Sequence, residues 1–184
     1  RENAAYEARI NEAEEALSRR GFPRTAIFRQ PVVWGEHDQY QHVNNAHYIR
    51  WFESARMRWM ERMSRTLSPE IASNLVRGRG VGIILASTYC RYRRPVTYPD
   101  TVVIGQAALP MKFADRVTVR SQAYSVAQSA IVAEADFECV AYDYDRLCKA
   151  SLPPEVADAL RAWTYTGEDK EPYCQKTSRR RTVS

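Results

Sequence analysis

Trp34-Gly35-Glu36-His37-Asp38-Gln39-Tyr40-Gln41-His42-Val43-Asn44-Asn45-Ala46-His47-Tyr48 carries two acids and all three histidines of the chain. It lies where the pattern of the sequence changes. Before it, Ala26 to Trp34 is rich in β-branched and aromatic residues and reads as a strand ending at Gly35. After it, Tyr48, Phe52, Ala55, Trp59 and Met63 fall on one helical stripe, joined by Trp51 and Met60, while Arg50, Ser54, Arg58, Glu61 and Arg62 lie mostly on the other side. Asn44 and Asn45 offer side-chain oxygens to cap that helix. A helix from about Asn45 to Met63 would be roughly 28 Å long at 1.5 Å per residue, which suits an element crossing the middle of a domain.

Downstream the period becomes two. Ile131, Ala133, Ala135, Phe137, Cys139 and Ala141 alternate with Val132, Glu134, Asp136, Glu138, Val140 and Tyr142, which predicts one buried and one wet face. Val117, Val119, Ser121 and Ala123 alternate in the same way with Arg116, Thr118, Arg120 and Gln122. Ile83 to Arg93 and Thr101 to Leu109 predict two more strands divided by a turn at Pro95 to Asp100, with Gln128-Ser129 as a tight connection further on. The strands are expected as an antiparallel meander. Ser68-Pro69-Glu70 starts a short helix, and Ser151 to Trp163 closes the domain with another. One long helix inside a run of strands predicts an α+β fold in which a curved antiparallel sheet wraps the central helix.

Upstream, Tyr6, Ile10, Ala13 and Leu17 recur at helical spacing until Gly21, Phe22 and Pro23 end the pattern. This amphipathic helix could pack on the domain, on another subunit or on a partner. The chain thus divides into an N-terminal helical extension over 1–23, one domain over 24–165 and a polar, basic tail over 166–184. A length of 184 residues with 45% hydrophobic content suits one domain with a real core. Arginines interrupt every apolar stretch, so no membrane span is expected. No short apolar segment with a small-residue cleavage site follows Arg1, so a targeting peptide is expected to be removed or absent. The four cysteines lack zinc-site spacing and read as reduced thiols of an intracellular protein. The compartment stays open between mitochondrion and cytoplasm, with the mitochondrion favoured.

The net charge of +5 points to an anionic partner: nucleic acid, a membrane surface or a phosphorylated ligand such as coenzyme A. Part of it lies in the tail at Lys176, Arg179, Arg180 and Arg181. The rest concentrates at Arg50, Arg56, Arg58, Arg62 and Arg65 and at Arg91, Arg93 and Arg94, where a solvated face is the simpler reading.

The opening stretch is where chemistry is expected. A helix N-terminus supplies unpaired N–H donors and a partial positive charge, and an acid beside it would stay ionised next to donors able to hold a developing oxyanion. Metal binding by Glu36, Asp38 and His42 fits the ligand types, but no spacing puts them on one face, so no metal is expected. Glu53, among arginines, reads as a salt-bridged surface residue.

The run W-G-E-H-D-Q-Y-Q-H-V-N-N-A-H-Y-I-R-W-F-E-S-A-R from Trp34 to Arg56, followed in order by R-Y-R-R-P-V-T-Y-P-D-T-V from Arg91 to Val102, resembles the 4-hydroxybenzoyl-CoA thioesterase-like branch of the hotdog superfamily. The resemblance covers roughly Ile27 to Trp163. It implies a hotdog fold, hydrolysis of an acyl-CoA thioester to free acid and coenzyme A without a cofactor, and a homodimer or homotetramer with each active site between subunits. Carried over residue by residue, it makes Asp38 the catalytic carboxylate, as nucleophile or general base, and the Asn45 backbone N–H the oxyanion donor. Tyr48 would line the acyl pocket, and Arg91, Arg93, Lys112 and Arg116 would grip the coenzyme A tail. His42 belongs to the site, with a structural role in the loop before a chemical one, whereas His37 and His47 are expected to be partly exposed and silent. The sequence departs from the family at Glu36, where Asp is common, and at Gln41, where Gly is usual. A side chain at Gln41 would tilt the loop if that backbone needs positive φ. The alternative is a non-catalytic hotdog scaffold, docked through its N-terminal helix and basic tail in a larger assembly such as a mitochondrial ribonucleoprotein. A hotdog dehydratase or hydratase resembles a D-x-N-P-x-H string or a His and Glu divided between loop and helix, and neither reads cleanly here.

Overall fold

The computed structural model describes residues 2–170, 172 and 173. Its centre is α2 (Asn45–Ser64), capped by Asn44, whose backbone is extended and whose Oδ1 accepts the Ala46 N–H at 2.9 Å. The helix runs one residue past the expected end. Tyr48, Phe52, Ala55, Trp59 and Met63 are buried on its inward stripe, against Val102, Ile104, Val119, Ala123, Ala135 and Phe137 of the sheet. Each large apolar side chain so buried contributes about 1.5–3 kcal/mol, which makes this stripe the main attachment of helix to sheet.

Position 56 falls on the same inward arc, four residues after Phe52. Arg56 is only 6% exposed, with its guanidinium 4.7 Å from the Phe137 ring centre, so the solvated face expected of the helix arginines does not extend to it.

The sheet has six strands: β1 (Ile27–Pro31), β2 (Val81–Tyr92), β3 (Thr101–Ala108), β4 (Arg116–Ser125), β5 (Ala130–Asp143) and the short β6 (Cys148–Lys149). All pairings are antiparallel, in the order β1-β3-β4-β5-β2 with β6 beside β5. The expected meander therefore holds only for β3, β4 and β5. The segment between β2 and β3, stiffened by Pro95 and Pro99, makes no hairpin. It crosses the ends of β4 and β5, where the Arg93 N–H bonds the Val132 carbonyl and Gln128 Nε2 donates to the Pro95 carbonyl. β1 is also shorter than expected. After Pro31 the chain turns through a 3-10 segment at Trp34–Glu36, because Glu36 Oε2 accepts the Val33 N–H at 2.8 Å and folds the strand end back.

The two faces of the sheet differ from the simple alternation. Between β4 and β5 the register shifts from Ala123–Ala133 to Tyr124–Ile131, so Val132 and Ala133 both join the main core while Ile131 turns to the opposite face. That outer face is covered as well. The N-terminal helix α1 (Glu2–Arg19) buries Ile10, Ala13 and Leu17 against Ile27, Val103 and Ala107, which decides among its three possible docking places in favour of the chain's own sheet.

The supposedly wet residues Glu134 and Asp136 are 6% and 4% exposed. Asp136 takes both arms of Arg120 at 3.1 Å, and the Tyr173 N–H bonds it at 2.6 Å, while the Tyr173 ring lies 3.9 Å from the Arg120 guanidinium. The C-terminal segment closes over these charges. Glu138 stays half-exposed and pairs with Arg116 at 2.9 Å.

Helices α3 (Pro69–Arg77) and α4 (Pro154–Ala162) flank the main core, joined where Ser68 Oγ donates to Glu155 Oε2 at 3.0 Å. Cys90, Cys139 and Cys148 are free thiols. Among the described residues no helix is long and apolar enough to cross a membrane. Cys174 and the basic tail positions Lys176, Arg179, Arg180 and Arg181 lie outside the described residues.

Candidate active site

The acid loop is a closed turn. His37 and Val43 form an isolated bridge, the Asp38 N–H bonds the His42 carbonyl at 3.0 Å, and the Gln41 N–H bonds the Asp38 carbonyl at 3.0 Å. This geometry needs a left-handed residue at position 41, and Gln41 adopts φ 63°. The conformation costs a non-glycine residue about 1–2 kcal/mol, and the exposed Gln41 side chain adds no clash that would open the turn. The departure from glycine is thus accommodated by strain and leaves the loop closed.

Within the turn, the half-buried Asp38 carboxylate accepts the Tyr40 N–H through Oδ1 at 2.8 Å, and Oδ2 has no protein partner among the described residues. Glu36 has a different part. Its Oε1 accepts the Trp51 indole N–H at 2.9 Å, its Oε2 accepts the Val33 N–H, and its carbonyl accepts the Asn44 N–H at 2.9 Å. Glu36 is a brace between loop and helix. His37 is a second brace, since its Nε2 accepts the Tyr98 N–H at 2.8 Å. His47 Nδ1 lies 3.7 Å from Glu36 Oε1.

The start of α2 has one uncommitted donor. Asn44 passes its own N–H to Glu36 and takes the N–H groups of Ala46 and His47, each at 2.9 Å. The Asn45 N–H has no partner among the described residues, and Asn45 is exposed. A free carboxylate oxygen and a free helix-start N–H therefore stand on the two sides of the short segment from Asp38 to Asn45.

Beside them is an open groove of about 310 Å³, with Asn45 and His42 on one wall, Tyr92, Arg93 and Arg94 on the other, and Tyr48 at its floor. His42 stacks on Tyr40 with centroids 6.3 Å apart, and its Nδ1 meets the Val43 carbonyl at 3.3 Å, a contact that requires Nδ1 to carry the proton. Tyr48 is 2% exposed, and burial pushes its phenol up to about 12.

Of the residues expected from sequence, Asn45, His42, Tyr48 and Arg93 meet at this groove, and Asp38 lies in the adjoining turn. Arg93 is already bound to Glu134 through Nε at 2.6 Å. Arg91 is exposed, with Glu134 as its register partner on β5. Lys112 and Arg116 lie elsewhere, in a separate cleft of about 410 Å³ that also takes in Ser87, Thr88 and Tyr89 of β2. Sequence reasoning did not place Tyr92 or Arg94 at the site. Period-two counting along β2 puts Tyr92 on the same face as Cys90, which packs on the main core, and that signal could have found it. Among the described residues no group of three or more His, Cys, Asp or Glu could hold a metal ion, so Glu36, Asp38 and His42 do not converge on one.

A curved antiparallel sheet closed on a long central helix, with a carboxylate turn at the helix start, defines a hotdog-fold protein. The model of the thioesterase-like superfamily matches residues 32–160, and the chain belongs to that family. The activity that goes with this membership is thioester hydrolysis.

A protein of Aquifex aeolicus is 24% identical over 135 residues, 73% of this chain and 97% of its own length. A crystal structure from Pseudomonas aeruginosa strain PAO1 superposes with a TM-score of 0.64 at 22% identity, covering 77% of this chain and 93% of that one. The 1,4-dihydroxy-2-naphthoyl-CoA thioesterase of Synechocystis gives 0.62 at 16% identity, covering 73% and 94%.

Proposed function

We propose that the protein hydrolyses an acyl-coenzyme A thioester, with Asp38 as nucleophile or general base and the Asn45 N–H as oxyanion donor. The observation that carries this reading is that the acid turn and the helix start next to it each keep one uncommitted group among the described residues, Asp38 Oδ2 and the Asn45 N–H. Glu36, His37, Asn44 and Arg93 around them are already engaged, so these two are left for a reacting carbonyl. Either Asp38 attacks that carbon, releasing the thiolate and forming an anhydride that water cleaves, or it takes a proton from water as water attacks. In both routes the negative charge develops on the oxygen facing the helix start. The reaction uses water and the thioester alone.

The position of the basic residues supports a site completed by a second copy. β2 is a long edge strand whose Ile84 and Leu85 are 39% and 42% exposed, and such edges pair with other strands. Tyr92 at one end of β2 faces the groove, and Ser87 to Tyr89 near its middle border the cleft of Lys112 and Arg116. Antiparallel pairing of two copies along β2 turns the cationic cleft of one toward the groove of the other, where it would meet the coenzyme A phosphates. A homodimer built this way needs both copies for each site. The scaffold alternative has less to stand on at its N-terminal end, because the apolar stripe of α1 is spent on the chain's own sheet.

Asp38→Asn tests the proposal, as it keeps shape and removes charge. Thiol release from a panel of acyl-CoA esters should fall by roughly 10²–10⁴-fold while binding persists. Incorporation of ¹⁸O from solvent into the Asp38 carboxylate in a single turnover marks the nucleophilic route, and its absence the general-base route. A variant as fast as the parent refutes the assignment of Asp38.

A further inference from the structure

Helix α2 is held to the rest of the chain by few side-chain hydrogen bonds. Near its end Arg62 Nη1 reaches the Thr25 carbonyl at 2.5 Å, and at mid-length Gln106 Nε2 donates to the Phe52 carbonyl at 2.8 Å. In its first turn the bond comes from the edge strand, where the Tyr92 hydroxyl donates to the Asn45 carbonyl at 3.1 Å. That carbonyl belongs to the residue whose N–H is the proposed oxyanion donor. On its other side, the Asn44 N–H is held by the Glu36 carbonyl at 2.9 Å. Along the chain, the backbone is therefore held on both sides of the Asn45 N–H, at Asn44 by Glu36 and at the Asn45 carbonyl by Tyr92.

The same two anchors are joined through packed rings. Tyr92 meets Tyr48 edge-on at 5.3 Å, Tyr48 meets Trp51 at 5.0 Å, and the Trp51 indole N–H returns to Glu36. Exposure speaks against a purely structural purpose for the Tyr92 bond. Asn45 is exposed and Tyr92 is 38% exposed, so water could satisfy the carbonyl without loss to the fold. Partial desolvation, with the Cys90 thiol beside it, raises the Tyr92 phenol above its ordinary value, so the hydroxyl keeps its proton and remains a donor.

We propose that Tyr92 is a positioning residue, whose hydroxyl holds the Asn45 carbonyl so that the first turn of α2 presents the Asn45 N–H to the developing oxyanion. It acts through Asn45 and ties the geometry of the hole to the edge strand along which a second copy would pair. The inference rests on the thioesterase reading above. It adds a residue that neither the acid loop nor the helix motif contains.

The test is Tyr92→Phe, which keeps the ring on Tyr48 and removes only the hydroxyl. Misplacement of a catalytic group by a fraction of an ångström to 1 Å costs up to roughly 10²-fold, so kcat for acyl-CoA hydrolysis should fall about 10-fold with KM within about two-fold of the parent. The melting temperature should move by no more than roughly 2–4 °C. Loss of packing alone would lower the melting temperature and leave kcat of the folded fraction intact. The second arm repeats the change in an Asn45→Pro background, which lacks the N–H. Tyr92→Phe should there have no further effect on kcat.

An unchanged kcat, a rise in KM alone, or a full additional loss in the Asn45→Pro background each overturns the role of Tyr92. In all three cases a parent that turns over and an inactive Asp38→Asn leave the thioesterase reading standing. A parent without hydrolytic activity overturns both.

Discussion

Replacing Asn45 by proline removes the backbone N–H at the start of α2, together with an exposed side-chain amide that makes no hydrogen bond among the described residues. Asn45 is the first residue of α2, the position where proline fits a helix best, because its missing N–H would have no helical partner there. The preceding residue must be extended, and Asn44 already has φ −62° and ψ 138°. The capping bonds from Ala46 and His47 to Asn44 do not involve the deleted group, and the Asn45 side chain is exposed. The fold should therefore survive with a melting temperature within roughly 2–4 °C of the parent. Loss of one oxyanion donor typically costs about 10²–10³ in kcat, or about 2.7–4 kcal/mol of transition-state stabilisation, and that is the fall expected in thiol release from acyl-CoA. Asn45→Ala, which keeps the N–H, is the control and should stay within a few-fold of the parent. If Asn45→Pro melts normally and loses less than about ten-fold in kcat, the start of α2 is not the oxyanion hole.

Asp136→Ala removes the carboxylate that takes Nε and Nη2 of the fully buried Arg120 and the Tyr173 N–H, so denaturant unfolding should show a loss of about 3–5 kcal/mol; a loss under about 1 kcal/mol would mean that these contacts contribute little to the fold. Leu85→Lys places a charge on the exposed edge of β2, and light scattering at micromolar concentration should report a monomer with little hydrolytic activity. An active monomer would show that one chain holds a complete site.

The local features of this protein are legible in its residues alone. The stripe from Tyr48 to Met63 repeats every three to four residues, and that period defines α2 and the apolar part of its buried face. Asn44 and the acid loop lie within a few residues of that helix, so their contacts are short-range and their roles follow from residue type and position. The need for a left-handed residue at Gln41 is likewise foreseeable from a local motif.

What lies beyond the sequence involves partners far apart along the chain. Alternation marks Glu134 and Asp136 as a wet face, but Tyr173, 37 residues further on, bonds Asp136, and Arg93 of the distant segment after β2 bonds Glu134. Alternation is blind to a bulge, so it misplaces Ile131 and Val132. Strand periodicity does not say which strand is whose neighbour, and β2 pairs with β5 because the stiff segment through Pro95 and Pro99 carries the chain across the sheet end. That crossing puts Tyr92 over Asn45 and sends Lys112 and Arg116 to a separate cleft. A sequence pattern reports the surroundings that a residue's near neighbours create. Which distant segment arrives to bury a charge or to hold a carbonyl is settled only when the whole sheet closes on its helix.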